Sequence, residues 1–238
     1  MPALVRYGAD IGSDVHDLLR RDGALVVWDF PIATDAPLVR FASDLGRVSE
    51  TAVTAAGGGR SLVHDVAALP EPLLNPHGQV VLSTTTDPFD LHTDDYFLPE
   101  PSDVVILLCV RQAGVGGESL IAPLDEVLGR LDATTRALLH EPVFPTPFGP
   151  VAILTEVGGS ARVRYNRSTI RLLAANGVAV PAPHADALDA FDGAARASSR
   201  TFRLSAGQCL VADNGRLLHG RRAFEGHRLL RRMKVYRR

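Results

Sequence analysis

Two short stretches carry residues whose types and spacing can hold a metal ion. In Leu91-His92-Thr93-Asp94-Asp95 an imidazole and a carboxylate stand two positions apart. On an extended segment side chains at i and i+2 leave the same face, so His92 and Asp94 can grip one cation together. A third ligand has to come from elsewhere, and Asp213-Asn214-Gly215-Arg216-Leu217-Leu218-His219-Gly220 offers His219 in another strand-and-turn setting. Two histidines and one carboxylate on one face of an octahedral ion leave positions open for a cosubstrate and dioxygen, the arrangement of non-haem Fe(II) oxygenases.

A bare His-x-Asp is common by chance and reads equally well as a surface turn. Two further features give it weight. Ser119 follows the Gly116-Gly117 turn, and arginines follow His219. In Arg228-Leu229-Leu230-Arg231-Arg232-Met233-Lys234, strand alternation sets Arg228 and Arg232 on one face with Leu230 between them, and turns Arg231 away. A hydroxyl and a guanidinium fork suit a carboxylate ligand.

These groups need strands to present them. The apolar pattern predicts strands at Ala24 to Trp28, Val80 to Thr85, Asp103 to Val110, Ser119 to Ala122, Val151 to Glu156, Ala161 to Tyr165, Gln208 to Ala212 and Leu229 to Tyr236. Helices are expected from a cap at Ser13 to a stop at Gly23, and from Thr34 to Leu45 with Leu38, Phe41, Ala42 and Leu45 on one stripe. Two more are expected at Leu124 to His140 and Ala185 to Arg200. Thr51 to Arg60 is small and Gly-rich and reads as a mobile loop or lid. Many short strands with few helices between them favour a sandwich or barrel over a parallel sheet, and no second-domain boundary shows over residues 1–238.

With these residues in view, the chain resembles the taurine dioxygenase and clavaminate synthase-like superfamily. The likeness runs from LHTDDYF through GGESLIAP to QCLVADNGRLLHGRRAFEGHRLLRR, over the C-terminal two thirds of the chain. It implies a mainly β fold with flanking helices, a double-stranded β-helix of the jelly-roll, cupin-like kind. It also implies an Fe(II)- and 2-oxoglutarate-dependent dioxygenase in which His92, Asp94 and His219 bind iron. Ser119 and an arginine then take the far carboxylate of 2-oxoglutarate. The family's cosubstrate arginine usually lies farther beyond the distal histidine than Arg228 does, at a separation that Arg232 matches. The strand face and the Arg-x-x-x-Arg spacing favour Arg228, with Arg232 beside it for cosubstrate or substrate. Tyr96, Phe97, Asn166 and Arg167 are the candidates for substrate contact, although aromatic core and a polar strand end explain them as simply.

Other residues read more plainly. His64, His77, His140, His184 and His227 lack paired spacing with a carboxylate and read as structural or solvated. Gly114 to Gly117 lacks a following lysine, so a hairpin turn explains it better than a phosphate loop. The arginine-rich end from Arg231 to Arg238 reads as a strand with one face in the site and one in water. Lys234, the only lysine, reads as genomic base composition.

A net charge of −2 argues against gripping a polyanion, so nucleic acid is not an expected partner. The longest apolar run, Val104 to Val110, is too short to cross a bilayer, and a cytoplasmic protein acting on a small molecule is expected. Cys109 and Cys209 sit in apolar runs as small hydrophobes rather than a disulfide. A zinc hydrolase using the same three ligands, or a metal-binding sensor without catalysis, remains open from the sequence.

Overall fold

A computed structural model describes residues 2–8, 11–52, 60–74 and 80–237. The chain enters through strand β1 (Ala3–Arg6), helix α1 (Ile11–Asp22), β2 (Ala24–Trp28), α2 (Ala36–Leu45), β3 (Arg47–Val48) and β4 (His64–Val66). Next come β5 (Phe89–His92), β6 (Val104–Arg111) and β7 (Ser119–Pro123). A helical section follows: α3 (Leu124–Leu128), α4 (Ala133–Leu139), α5 (Arg167–Ala175) and α6 (Ala182–Ala197). The chain closes with β8 (Arg200–Phe202), β9 (Cys209–Asp213), β10 (Leu217–Arg221) and β11 (Leu229–Tyr236).

The larger sheet runs β1-β2-β9-β6-β11-β3 with β4 also on β11, and the smaller runs β8-β7-β10-β5. Alternation along the strands sorts their side chains into layers. Val26, Leu210, Cys109 and Leu230 of the larger sheet meet Ile121 and Leu217 of the smaller one in a central core. Leu25, Val27, Val211, Ile106, Met233 and Val235 point the other way and pack under Val15, Leu19, Leu38 and Phe41 of α1 and α2. Ala122 and Leu218 on the outer face of the smaller sheet pack against Leu124, Leu139, Ile170 and Phe191 of α3 to α6. Each such Leu, Ile or Phe contributes about 1.5–3 kcal/mol on burial. The result is the double-stranded β-helix expected from the sequence, with helices on both outer faces.

Several expectations need correction. Val80 to Thr85 is not a strand but a 3₁₀ turn at Leu82–Thr84. The Thr84 and Thr85 hydroxyls donate to the carbonyls of Val81 and Leu82, a local alternative to a ladder. The single helix Leu124 to His140 is two, because Asp132 caps a new start by accepting from the Thr135 amide. The expected strand Val151 to Glu156 divides between two hairpins, 144–146 with 149–151 and 154–157 with 160–163. The helix expected from Ala185 begins at Ala182 after Pro181, and Arg200 opens a strand. Ser13 lies inside α1 rather than before it. The outward face of β11 is not in water: Met233 and Val235 are buried under α2, and Arg231 donates to the Ile32 carbonyl and pairs with Asp35. Of the proposed lid, 53–59 lies outside the described residues, while its ends pair as Thr51–Ala52 with Arg60–Ser61.

Candidate metal centre and flanking cavities

His92 is the last residue of β5 and pairs across the ladder with His219 of β10. Both imidazoles therefore leave one face of the smaller sheet, with ring centroids 4.4 Å apart. Asp94 follows in the turn after β5. Its backbone is fixed by Asn214, whose Oδ1 accepts from the Asp94 amide at 2.9 Å while its Nδ2 donates to the Asp94 and Ser102 carbonyls. Asn214 thus ties the turn after β5 to the turn between β9 and β10, holding the aspartate against the distal histidine.

The ligand atoms of His92, Asp94 and His219 lie within 4.8 Å of one another, and all three residues are buried. Asp94 Oδ1 stands 3.7 Å from His92 Nε2 and 4.0 Å from His219 Nε2. Two donors each about 2.1 Å from one ion stand no more than about 4.2 Å apart, so one cation can bridge these pairs. The donor set fits a metal in other ways. His92 Nδ1 faces the Asp90 carbonyl at 2.8 Å, which leaves Nε2 free for a metal. Phe89 stacks on the His92 ring at 3.9 Å. Asp94 Oδ2 is buried without a hydrogen-bond partner. Burial holds His219 down to about 3, with His92 adding to the effect, so its ring is neutral at physiological pH. Burial alone would raise the Asp94 carboxyl, but Arg232, then Lys234, the His92 hydrogen bond and His219 hold it well below the usual range. His219 and Asp94 are therefore in the protonation states that a metal needs.

Two cavities flank the cluster and share Ser83, Phe89, His92 and Arg232. The smaller runs into the barrel past Ser119, His219, Arg221 and Arg228, with Val66, Leu107 and Leu230 as apolar walls. Ser119 is buried, and Arg228 donates through Nε to Gln112 at 3.1 Å while its Nη1 has no partner. Gly117 makes this approach possible: with φ +73°, a Cβ there would stand 3.0 Å from Arg228 Cδ. The larger cavity, about 490 Å³, is lined by Asp94, Asp95, Tyr96, Phe97, Asn166, Thr169, Arg232 and Lys234 among others.

The two arginines divide their work. Arg232 donates to Asp94 Oδ1 at 3.1 Å and stands between the cavities, whereas Arg228 lies with Ser119. Although the ladder shifts register between Leu229 and Leu230, both reach the interior as alternation suggested. Of the four residues singled out for substrate contact, Tyr96, Phe97 and Asn166 line the larger cavity and Arg167 does not. Tyr96 is a core residue whose hydroxyl donates to the Pro145 carbonyl, though it edges the larger cavity. Phe97 is partly exposed and stacks on Phe148. Asn166 bridges His92 through its backbone and caps α5, a helix the sequence reading took for a strand end. Arg167 pairs with Asp189 of α6 and does not line the cavity. His64 faces Ser83 at 3.3 Å and His184 faces Glu141 at 2.9 Å; His140 and His227 are exposed, and His77 lies outside the described residues.

Four residues were missed, and two of them, Arg221 and Lys234, left a signal in the sequence. Arg221 stands two positions after His219 on β10 and therefore shares its face. Lys234 continues the inward series of Leu230 and Arg232, and it forms a buried ion pair with Asp95. Asp95 takes φ 57°, a conformation uncommon outside glycine that clusters at functional sites. Asn214 gave no periodic signal at all.

The family comparison decides the class. The model of the "Taurine catabolism dioxygenase TauD, TfdA family" matches residues 2–234. The chain belongs to the TauD/TfdA family. Among curated proteins, gamma-butyrobetaine dioxygenase of Homo sapiens is 28% identical over 159 residues, covering 59% of this chain and 41% of its own length. The same protein of Pongo abelii matches to the same extent, so the matched stretch spans less than half of these curated relatives. Among solved structures, asparagine oxygenase in complex with Fe(II), 2S,3S-3-hydroxyasparagine and succinate superposes with TM-score 0.77 at 21% identity, over 97% of this chain and 80% of that one. The non-haem iron oxygenase OrfP, in complex with Fe and alpha-ketoglutaric acid, gives 0.74 at 21% identity over 96% and 80%. At such identities the likeness speaks to the fold, which this TauD/TfdA chain shares along nearly its whole length.

Proposed function

We propose that this chain is a single-domain Fe(II)- and 2-oxoglutarate-dependent dioxygenase that hydroxylates an unactivated C–H bond of a small carboxylate-bearing molecule, such as an amino acid or a natural-product precursor. One observation carries the reading. A buried His-Asp-His cluster whose ligand atoms converge within 4.8 Å stands between two cavities, each provided with cationic groups. A closed structural zinc site needs neither cavity.

His92, Asp94 and His219 would hold the iron by three ligands and leave the remaining positions to cosubstrate and dioxygen. When bound, iron and 2-oxoglutarate supply the oxidative activation of dioxygen, with succinate and carbon dioxide as co-products. Ser119 through its hydroxyl and Arg228 through its unpartnered Nη1–H would hold the far carboxylate of 2-oxoglutarate. Val66, Leu107 and Leu230 keep water from this end, which strengthens each charge-assisted contact. Arg232 orients Asp94, as partners of metal ligands do. Arg232, whose Nε–H is also unpartnered, and Lys234, paired with Asp95, line the larger cavity, where a substrate carboxylate would bind. That cavity lies within the range of about 300–1,000 Å³ usual for small-molecule sites. A cytoplasmic setting belongs to the same proposal, supported by two free, buried cysteines.

The test is aerobic incubation of the iron-loaded protein with 2-oxoglutarate and a panel of L-amino acids and other small acids, following succinate. At least one carboxylate-bearing compound is expected to raise succinate above the uncoupled rate, and its carboxamide to lose most of that effect. Hydrolysis by a zinc-loaded protein with no succinate formed, or turnover of uncharged compounds only, would contradict the reading.

A further inference from the structure

The smaller cavity holds two buried guanidiniums where one would suffice for a carboxylate. Arg221 stands directly opposite Ser119 in the ladder between β7 and β10, so the two side chains leave the sheet side by side. Its Nη2 donates to the carbonyls of Leu82, Thr85 and Asp87 at 3.3, 3.0 and 2.5 Å, while its Nε–H is buried without a partner. Arg228 has a buried, unpartnered Nη1 in the same cavity. The two guanidinium carbons lie 4.9 and 5.7 Å from the centroid of one ring, that of Phe224. Among the described residues neither arginine forms an ion pair with a carboxylate; the Asp87 side chain acts on Arg221 from beyond ion-pair reach and is itself exposed to solvent. Backbone carbonyls satisfy hydrogen bonds but carry no net charge, so the cavity keeps two buried positive charges close together. Such a pair is costly unless an anion joins it.

We propose that Arg221 is a second cationic group of the site for the far carboxylate of 2-oxoglutarate, acting with Arg228 and Ser119 to make this end of the cavity selective for a dicarboxylate. The inference rests on the 2-oxoglutarate reading above. The rival role for Arg221 is purely mechanical: its three carbonyl contacts hold 82–87, the segment that carries Ser83 into both cavities. A clamp would act on any ligand alike, whereas a charge acts only on ligands that bear the second carboxylate.

Anaerobic calorimetric titration of the Fe(II)-loaded protein separates these roles, with 2-oxoglutarate and 2-oxovalerate as probes; the second ends in a methyl group in place of the far carboxylate. The native protein is expected to prefer 2-oxoglutarate. Arg221→Gln is expected to weaken 2-oxoglutarate binding roughly ten- to hundredfold, the scale of one charge-assisted hydrogen bond, and to leave 2-oxovalerate unchanged. Equal loss for both probes, or loss for neither, overturns the proposal and leaves Arg221 a clamp. If the native protein takes up neither oxo acid, the 2-oxoglutarate reading itself fails. Should Arg221→Gln melt early, Arg221→Lys carries the test, because it keeps the charge but cannot reach three carbonyls at once. It is expected to retain the preference for 2-oxoglutarate to within a few fold, and loss of that preference overturns the charge role.

Discussion

Asp94 is the residue on which most forces converge, since it takes a backbone tether from Asn214 and a guanidinium from Arg232 and still keeps one oxygen unpartnered. Arg232→Gln should therefore lower Fe(II) affinity about 10–100-fold, the usual effect of losing a ligand's outer partner. Arg228→Gln should leave metal content unchanged and raise the 2-oxoglutarate requirement; metal titration and cosubstrate dependence of the two variants check this. Exchange of the two phenotypes would reverse the assignments. Acid should also weaken the metal-free fold. The His219 ring is held down to about 3 and His64 to about 4, in both cases first by burial, against about 6.5 for an unfolded histidine. Below that value the unfolded chain takes up protons that the folded one refuses, so stability falls as pH drops from about 6.5 toward 4. Thermal melts across that window should slope downward with acid, and His219→Gln should flatten the slope. The triad was legible because His92 and Asp94 stand two positions apart and His219 follows in a second strand-and-turn segment, although Asp94 lies in the turn after β5 rather than on an extended strand. Lys234 and Arg221 obey strand alternation, but a sequence does not show which inward cation lacks a carboxylate. Asn214 acts through two backbone groups of a distant turn, which no spacing rule reveals.

At the level of elements, the turn before β7 sets the geometry of the cosubstrate end. Gly117 needs φ +73° and leaves 3.0 Å to the Arg228 side chain, so Gly117→Ala combines backbone strain of about 1–3 kcal/mol with displacement of that arginine. Weaker 2-oxoglutarate binding with iron content preserved is the expected result, read by titration and metal analysis. Strands β6, β7, β9 and β11 were close to their sequence boundaries because each is an uninterrupted apolar run or keeps an apolar face. The short β5 and β10 that carry His92 and His219 were not among the strands the apolar pattern predicts. The section between β7 and β8 was misread where local caps decide: Asp132 splits one helix and Asn166 starts another. The outward face of β11 was misjudged for a different reason. Arg231 looked solvated, yet it lies along the start of α2, and Met233 beside it is core.

For the molecule as a whole, the larger sheet presents Arg232 and Lys234 inward while α1 and α2 seal its back. Phe41→Ala, in that seal, should cost about 3–5 kcal/mol in denaturant unfolding while leaving the ligand set intact. On the proposed function iron and 2-oxoglutarate bind where the two sheets face each other, so saturating each should stabilise the fold by about 2.7 kcal/mol at a hundredfold excess over its Kd and raise the melting temperature. The most direct test of the central claim is anaerobic Fe(II) titration followed by 2-oxoglutarate, monitored by visible absorption. A chelated 2-oxo acid on Fe(II) gives a charge-transfer band that zinc cannot. One equivalent of Fe(II) and a saturable band in the native protein, both lost in Asp94→Ala with its fold intact by thermal melt, is the expected outcome. A native protein that takes up iron without developing the band, or an Asp94→Ala variant that develops it at full strength, would contradict the account.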